Sequence, residues 1–208
     1  YNFLGLNLTV ETLDGLIKHN GPVIKLDPYK KMLKKNFFSK KISFKNYPSL
    51  ESQVAAISDD IAYNNHDLQD GLRANLFTIE QISSITNISH ITKYHMKNIK
   101  KFRKEVIINQ IIRDLINMMV NDVINVAKKN LKKIKPNSVK DIYENNSLVV
   151  DFSSEMKKTD IQIKDFLHRQ MYNHNNVIIN TNKGKKIINY LFKYLSKNPK
   201  KYINANLF

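Results

Sequence analysis

No cysteine occurs anywhere in the 208 residues of this chain. A disulfide, a thiolate zinc site and a cysteine nucleophile are thereby excluded, which leaves oxygen and imidazole as the available metal ligands. A reducing compartment fits this composition. Glycine and proline are scarce, at five each, while hydrophobic residues make up 42%. That balance argues against disorder and against a loop-rich β fold. No uninterrupted apolar run approaches membrane-spanning length, and the opening YNFLGLNLTV lacks the charged start and cleavage pattern of a signal peptide. The expectation is a cytoplasmic protein with no membrane association. There is also no Gly-rich phosphate loop and no internal repeat.

Acidic residues are the other shortage: 18 Asp and Glu stand against 34 Lys and Arg, a formal net charge of +16. Such an excess suggests a polyanionic partner, whether nucleic acid, nucleotide phosphate or anionic lipid. Lys, Asn and Ile are abundant together along the whole chain, however, which is as much the mark of an AT-rich coding sequence as of selection for charge.

The length allows one substantial core, and the expectation is a single all-α domain over residues 1–208. Thr9 can cap a helix through Val10, Leu13, Leu16 and Ile17 that stops at Asn20 to Pro22. The basic, aromatic stretch from Leu26 to Pro48 reads as a loop. Pro48 and Ser49 open a helix carrying Val54, Ile57, Ile61, Leu68 and Leu72, with Gly71 near its end. Thr78 and Gln81 form a capping box. From Ser89 to Lys133 there is hardly a breaker, so one long spine is predicted. Ser138 and Asp141 fit a short capped helix. SLVVDF, residues 147–152, is a strand-like run, followed by helices over about 153–173 and 181–196.

Two stripes stand out. On the helix after Pro48, Asp59, Tyr63 and Asp67 recur at i, i+4 and i+8, with His66 and Asp70 beside them, opposite the apolar stripe. This is either a solvated face or a covered face linked to a cation. The second reading is favoured because Asp is a poor interior helix residue, because Ala55, Ala56 and Tyr63 suit a covered surface, and because neighbouring carboxylates repel unless a cation or donors offset them. In KDFLHRQMYNH, Lys164, His168 and Tyr172 form a second i, i+4, i+8 stripe beside Ile163, Phe166, Leu167 and Met171. An ammonium, an imidazole and a phenol side by side can meet phosphate, sugar and a ring face. They can equally form an ordinary core rim with a snorkelling lysine. His174 reads as structural or exposed.

The stretches GLNLTVETLDGLIKHNGP (5–22), LESQVAAISDDIAYNNHDLQDGLRANLF (50–77) and IKDFLHRQMYNH (163–174) together resemble the bacterial deoxyguanosine triphosphate triphosphohydrolase-like proteins of the HD-domain superfamily. The resemblance implies an HD-domain-like helical bundle that hydrolyses a dNTP to deoxynucleoside and triphosphate with a divalent metal, magnesium or manganese. It implies that Asp59 is a metal ligand, that Tyr63 lines the nucleotide pocket and that Asp67 accepts from the sugar 3′-hydroxyl. It further implies that Lys164 faces the triphosphate, Tyr172 packs on deoxyribose and His168 lines the pocket. It also implies a homo-oligomer and regulation by single-stranded DNA or a dNTP.

The family's first His, its His-Asp doublet and a catalytic His precede the GLNLT motif and do not occur in these residues. The expectation is therefore the C-terminal part of a catalytic core, inactive by itself. The alternatives are a helical nucleic-acid-binding module using Lys25 to Lys45 and Lys128 to Lys135, or a non-catalytic oligomer partner.

Overall fold

The computed structural model describes residues 6–24, 42–197 and 199–202. Residues 25–41, which hold most of the loop expected from Leu26 to Pro48, lie outside the described residues, and with them every lysine of the Lys25 to Lys45 run except Lys45; residues 42–48 are turn and irregular backbone. Among the described residues the regular structure is entirely helical and there is no strand. The protein is all-α, as its composition predicts.

Helix α1 spans Val10–Ile17, its first turn closed by the Thr9 hydroxyl, which accepts from the Thr12 N–H at 3.2 Å. It ends in a turn at Gly21, whose φ of 98° is one that few side chains tolerate. Lys18, just past the helix, is buried and ties α1 down. Its ammonium is 2.8 Å from Asp14 and donates to the Tyr47 carbonyl at 3.2 Å.

Helix α2 spans Leu50–Arg73, capped by Ser49, which accepts from Ser52 N–H at 3.3 Å. Ile61, Leu68 and Leu72 are buried as predicted, but Val54 is exposed, and Gln53, Asn64 and Asn65 fill the inner face with them. Gly71 does not stop the helix. A Cβ there would lie 2.2 Å from the Phe77 ring, and Phe77 packs edge-on against Phe166 with centroids 4.9 Å apart. The glycine is a clearance, and the turn itself falls at Asn75, φ 54°.

The Thr78–Gln81 capping box opens α3, Ile79–Ile82. The long spine is two helices rather than one: α4, Ser89–Met96, and α5, Lys104–Ile134. Lys97, Lys100, Lys101, Arg103 and Lys104 crowd one sign of charge into the junction, which disfavours continuous helix. The turn also lets α4 pack on α5. α5 buries Ile107, Ile111, Leu115, Met119 and Val123 and runs beside α2 as the core's long wall. Ser138 and Asp141 box the start of α6, Val139–Tyr143.

The strand-like run SLVVDF is not a strand. Val149, Val150 and Phe152 are buried, but the backbone pairs with side chains instead of a neighbouring strand. The N–H groups of Val149 and Val150 both donate to Gln53 Oε1, at 2.8 and 3.0 Å, and Asn130 donates to the Val149 carbonyl at 2.9 Å. Buried polar backbone must be satisfied, and here the α2 and α5 amides do it.

Ser153 caps α7, Ser154–Leu167, whose Ile163, Phe166 and Leu167 close the core against α2 and α5. The chain continues through a π-helical turn, His168–Tyr172. Helix α8, Asn175–Lys197, buries none of its residues, and α9, Pro199–Tyr202, follows it. No helix among the described residues is long and apolar enough to cross a membrane.

Candidate functional site

The two stripes read from the sequence meet where α7 lies along α2. A cavity of about 580 Å³ opens beside this seam, lined among others by His19, Asp59, Asp60, Asp151, Lys157 and Asp160. A second hollow, about 640 Å³, between α1 and the start of α2 shares His19, Ala56 and Asp59 with it. Asp59 therefore stands on the wall common to both.

The cavity is acidic in a strongly basic protein, yet its carboxylates differ in how they are engaged. Asp151 pairs with Lys157. Asp160 and Asp60 both reach the Lys164 ammonium, at 2.9 and 3.5 Å. Among the described residues Asp59 has no hydrogen bond or ion pair. A charged group left uncommitted among paired ones is the group most available to something else.

Lys164 is not itself on the cavity wall. It reaches the wall through Asp60 and Asp160, and so joins α7 to α2. Burial lowers the affinity of its amine for a proton, but Asp160, with Asp60 behind it, outweighs burial and holds its pKa above the ordinary lysine value. The ammonium is firmly charged. Asp160 in turn accepts from Asn64 Nδ2 at 2.7 Å.

Farther along the same seam Tyr63, Asp67 and Tyr172 come together. The Tyr172 hydroxyl donates to Asp67 Oδ2. Burial first, then the Asp67 carboxylate and the Tyr63 hydroxyl, push the Tyr172 phenol far above its ordinary pKa, so it remains a donor. Tyr63 is otherwise exposed, more than half of it open to solvent. The π turn contributes here: its wider winding changes the direction in which Tyr172 leaves the helix, and such turns recur at functional sites.

The structure thus unites Tyr63 with Asp67 and Tyr172, and sets Asp59 on the acidic cavity with Lys164 off its wall, held to Asp60 and Asp160. It does not bring His168 into either group. That imidazole is exposed and pairs through Nδ1 with the Asn173 amide at 3.2 Å. His174 uses Nδ1 to accept from the Asn176 N–H at 3.3 Å, a cap on α8. Asp160, Asn64, Asp60, Lys157 and His19 were not singled out from the sequence. A signal for Asp160 was present in its spacing of one turn before Lys164. His19 reaches the cavity only because α1 folds onto α2.

Fit to a metal is incomplete. Among the described residues no three His, Asp or Glu side chains converge as a cation would require, and a single carboxylate does not hold a divalent ion tightly.

Comparison with known proteins bears on this geometry. The deoxyguanosinetriphosphate triphosphohydrolase-like protein of Pelagibacter ubique is 48% identical over 202 residues, which is 97% of this chain and 54% of that protein. The chain is homologous to part of these triphosphohydrolase-like proteins. Those of Bartonella henselae and Parvibaculum lavamentivorans are 37% and 34% identical, each over 95% of this chain. Residues 150–207 match the Phosphohydrolase-associated domain, in keeping with an HD-like helical fold. The chain spans about half the length of the curated relatives it matches.

Proposed function

We propose that residues 1–208 form one partial helical domain of a metal-dependent phosphohydrolase, which splits a dNTP into deoxynucleoside and inorganic triphosphate. The observation that carries this is Asp59, a carboxylate without a partner among the described residues, on a cavity whose other carboxylates are each paired to lysine. A bare triphosphate would be repelled by that wall. A triphosphate accompanied by a divalent cation would be accommodated, with Lys164 close enough to offset part of its charge.

In this reading Asp59 gives one carboxylate to a magnesium or manganese ion, whose other ligands are residues beyond those described. Such an ion would supply Lewis-acid polarisation of a phosphoryl oxygen. Asp67, already accepting from Tyr172, is placed to accept from a sugar hydroxyl as well. A substrate without that hydroxyl leaves the carboxylate half-paired and is disfavoured. Tyr172, packed under the sugar, leaves no room for a 2′-hydroxyl, and the exposed Tyr63 receives the nucleotide. His168, exposed and paired with Asn173, has no role in this reading. The supports are the uncommitted Asp59, the charged Lys164 and the likeness to triphosphohydrolase-like proteins.

The test is product analysis with the full-length protein, dGTP, and magnesium or manganese. Deoxyguanosine and triphosphate are expected, and Asp59→Ala abolishes their release without changing the helical circular dichroism. Release of pyrophosphate and a monophosphate would refute the reaction class.

A further inference from the structure

Lys164 is held by two carboxylates of different character. Asp160 lies one turn earlier on α7 and is only 8% exposed. Its Oδ2 is 2.9 Å from the ammonium, and its Oδ1 accepts from the buried Asn64 amide at 2.7 Å. Both oxygens are therefore occupied, one from its own helix and one from α2, and the carboxylate cannot turn. The Asp60 side chain is 58% exposed and its contact with the ammonium is longer, 3.5 Å.

The two have different consequences if Lys164 takes a new anion. Asp160, buried, would become an uncompensated charge if its lysine left it, which is strongly disfavoured. Asp60 is solvated and loses little by letting go. An ammonium offers three donors on a flexible stem, and only a fixed acceptor gives those donors a direction.

We propose that Asp160 is a positioning residue: locked by Asn64, it aims the Lys164 ammonium along the α2–α7 cavity wall, and Asp60 is the partner that yields its donor to an incoming phosphate oxygen. This rests on the proposed role of Lys164 towards phosphate. The lysine stays on Asp160 with and without ligand, and the exchange takes place between Asp60 and the anion.

The test uses the full chain and two readouts. The first is the ¹H–¹⁵N signal of the Lys164 ammonium, assigned by its loss in Lys164→Met. An ammonium held by a fixed acceptor exchanges slowly enough to be seen, and a freely solvated one does not. The signal is expected in the unsubstituted protein and in Asp60→Asn, to vanish in Asp160→Asn, and to return in part in Asp160→Glu. Asn64→Ser, which unlocks the carboxylate without removing charge, weakens it too and serves if Asp160→Asn fails to fold.

The second readout is affinity for inorganic triphosphate in the presence of magnesium. It falls about tenfold in Asp160→Asn and in Lys164→Met, and rises in Asp60→Asn. An ammonium signal that survives Asp160→Asn, or that is undiminished in Asn64→Ser, overturns the positioning role, even if the melting temperature drops. So does triphosphate affinity that is lost in Lys164→Met but kept in Asp160→Asn. If triphosphate binds equally with and without Lys164 while the ammonium signal still follows Asp160, the phosphate role of Lys164 fails and the positioning stands alone.

Discussion

At the scale of single residues, the described molecule relies on polar groups placed where the apolar pattern alone would not put them. Lys18, 2% exposed, is compensated by Asp14 and two backbone carbonyls. Removing one member of a buried ion pair leaves the other uncompensated, so Lys18→Ala is expected to lower stability by about 3 kcal/mol, read from urea midpoints. An unchanged midpoint would show that α1 is not anchored through this lysine. The same logic bounds what the sequence discloses about the site. Asp59, Tyr63, Asp67, Lys164 and Tyr172 recur at one-turn spacing, and that spacing is visible without a structure. Asn64 and Gln53 look like ordinary polar residues on an amphipathic helix. Only the approach of α7 and of the 147–153 segment turns them into buried partners, and that approach is a tertiary fact with no local signature.

At the scale of elements, caps and periodicity carried most of the reading. Thr9, Ser49, Thr78 and Ser138 each open a helix, as their side chains predict. The failures have physical causes. Apolar content could not tell a buried strand from a buried irregular segment at Val149 and Val150, because what decides is where the backbone donors go. Nor could the lack of Gly and Pro reveal the α4–α5 turn. Gly71 has a sharper consequence. Its would-be Cβ meets the Phe77 ring, which is confined by Phe166, so Gly71→Ala is expected to cost about 1 to 3 kcal/mol in thermal unfolding despite alanine's better helix propensity. A stabilised variant would mean the ring can move aside.

The α4–α5 pair carries a pH dependence as well. The hydrogen bond from His95, opposed by burial and helped by Arg113, holds the Asp114 carboxyl below the usual carboxylate range. A group depressed in the folded state stabilises above its unfolded pKa, and that contribution is lost as pH falls through the folded value. Stability should therefore decline below about pH 4, and Asp114→Asn should remove part of that decline. Superimposable acid limbs for the two proteins would contradict it.

At the scale of the whole molecule, the charge of +16 and the cavity make opposite demands. Helix α8 carries Lys183, Lys185, Lys186, Lys193 and Lys197 with no acid among them, and buries nothing. Any affinity of this surface for oligonucleotides is expected to weaken by roughly tenfold or more between about 50 and 200 mM salt, and to be indifferent to Asp59→Ala. Binding that persists at high salt and depends on Asp59 would tie the two surfaces together. In the proposed reading the acidic cavity on the α2–α7 seam instead takes an anion that arrives with a cation, and the nucleotide extends from it along the seam to Tyr63 and Tyr172. Those tyrosines report on it directly. With fluorotyrosine incorporated in the full-length protein, addition of dGTP and magnesium should shift the ¹⁹F signals of Tyr63 and Tyr172 and leave those of Tyr190 and Tyr194 on α8 in place. Shifts confined to α8, or none at Tyr63 and Tyr172 at saturating nucleotide, would contradict the placement of the substrate.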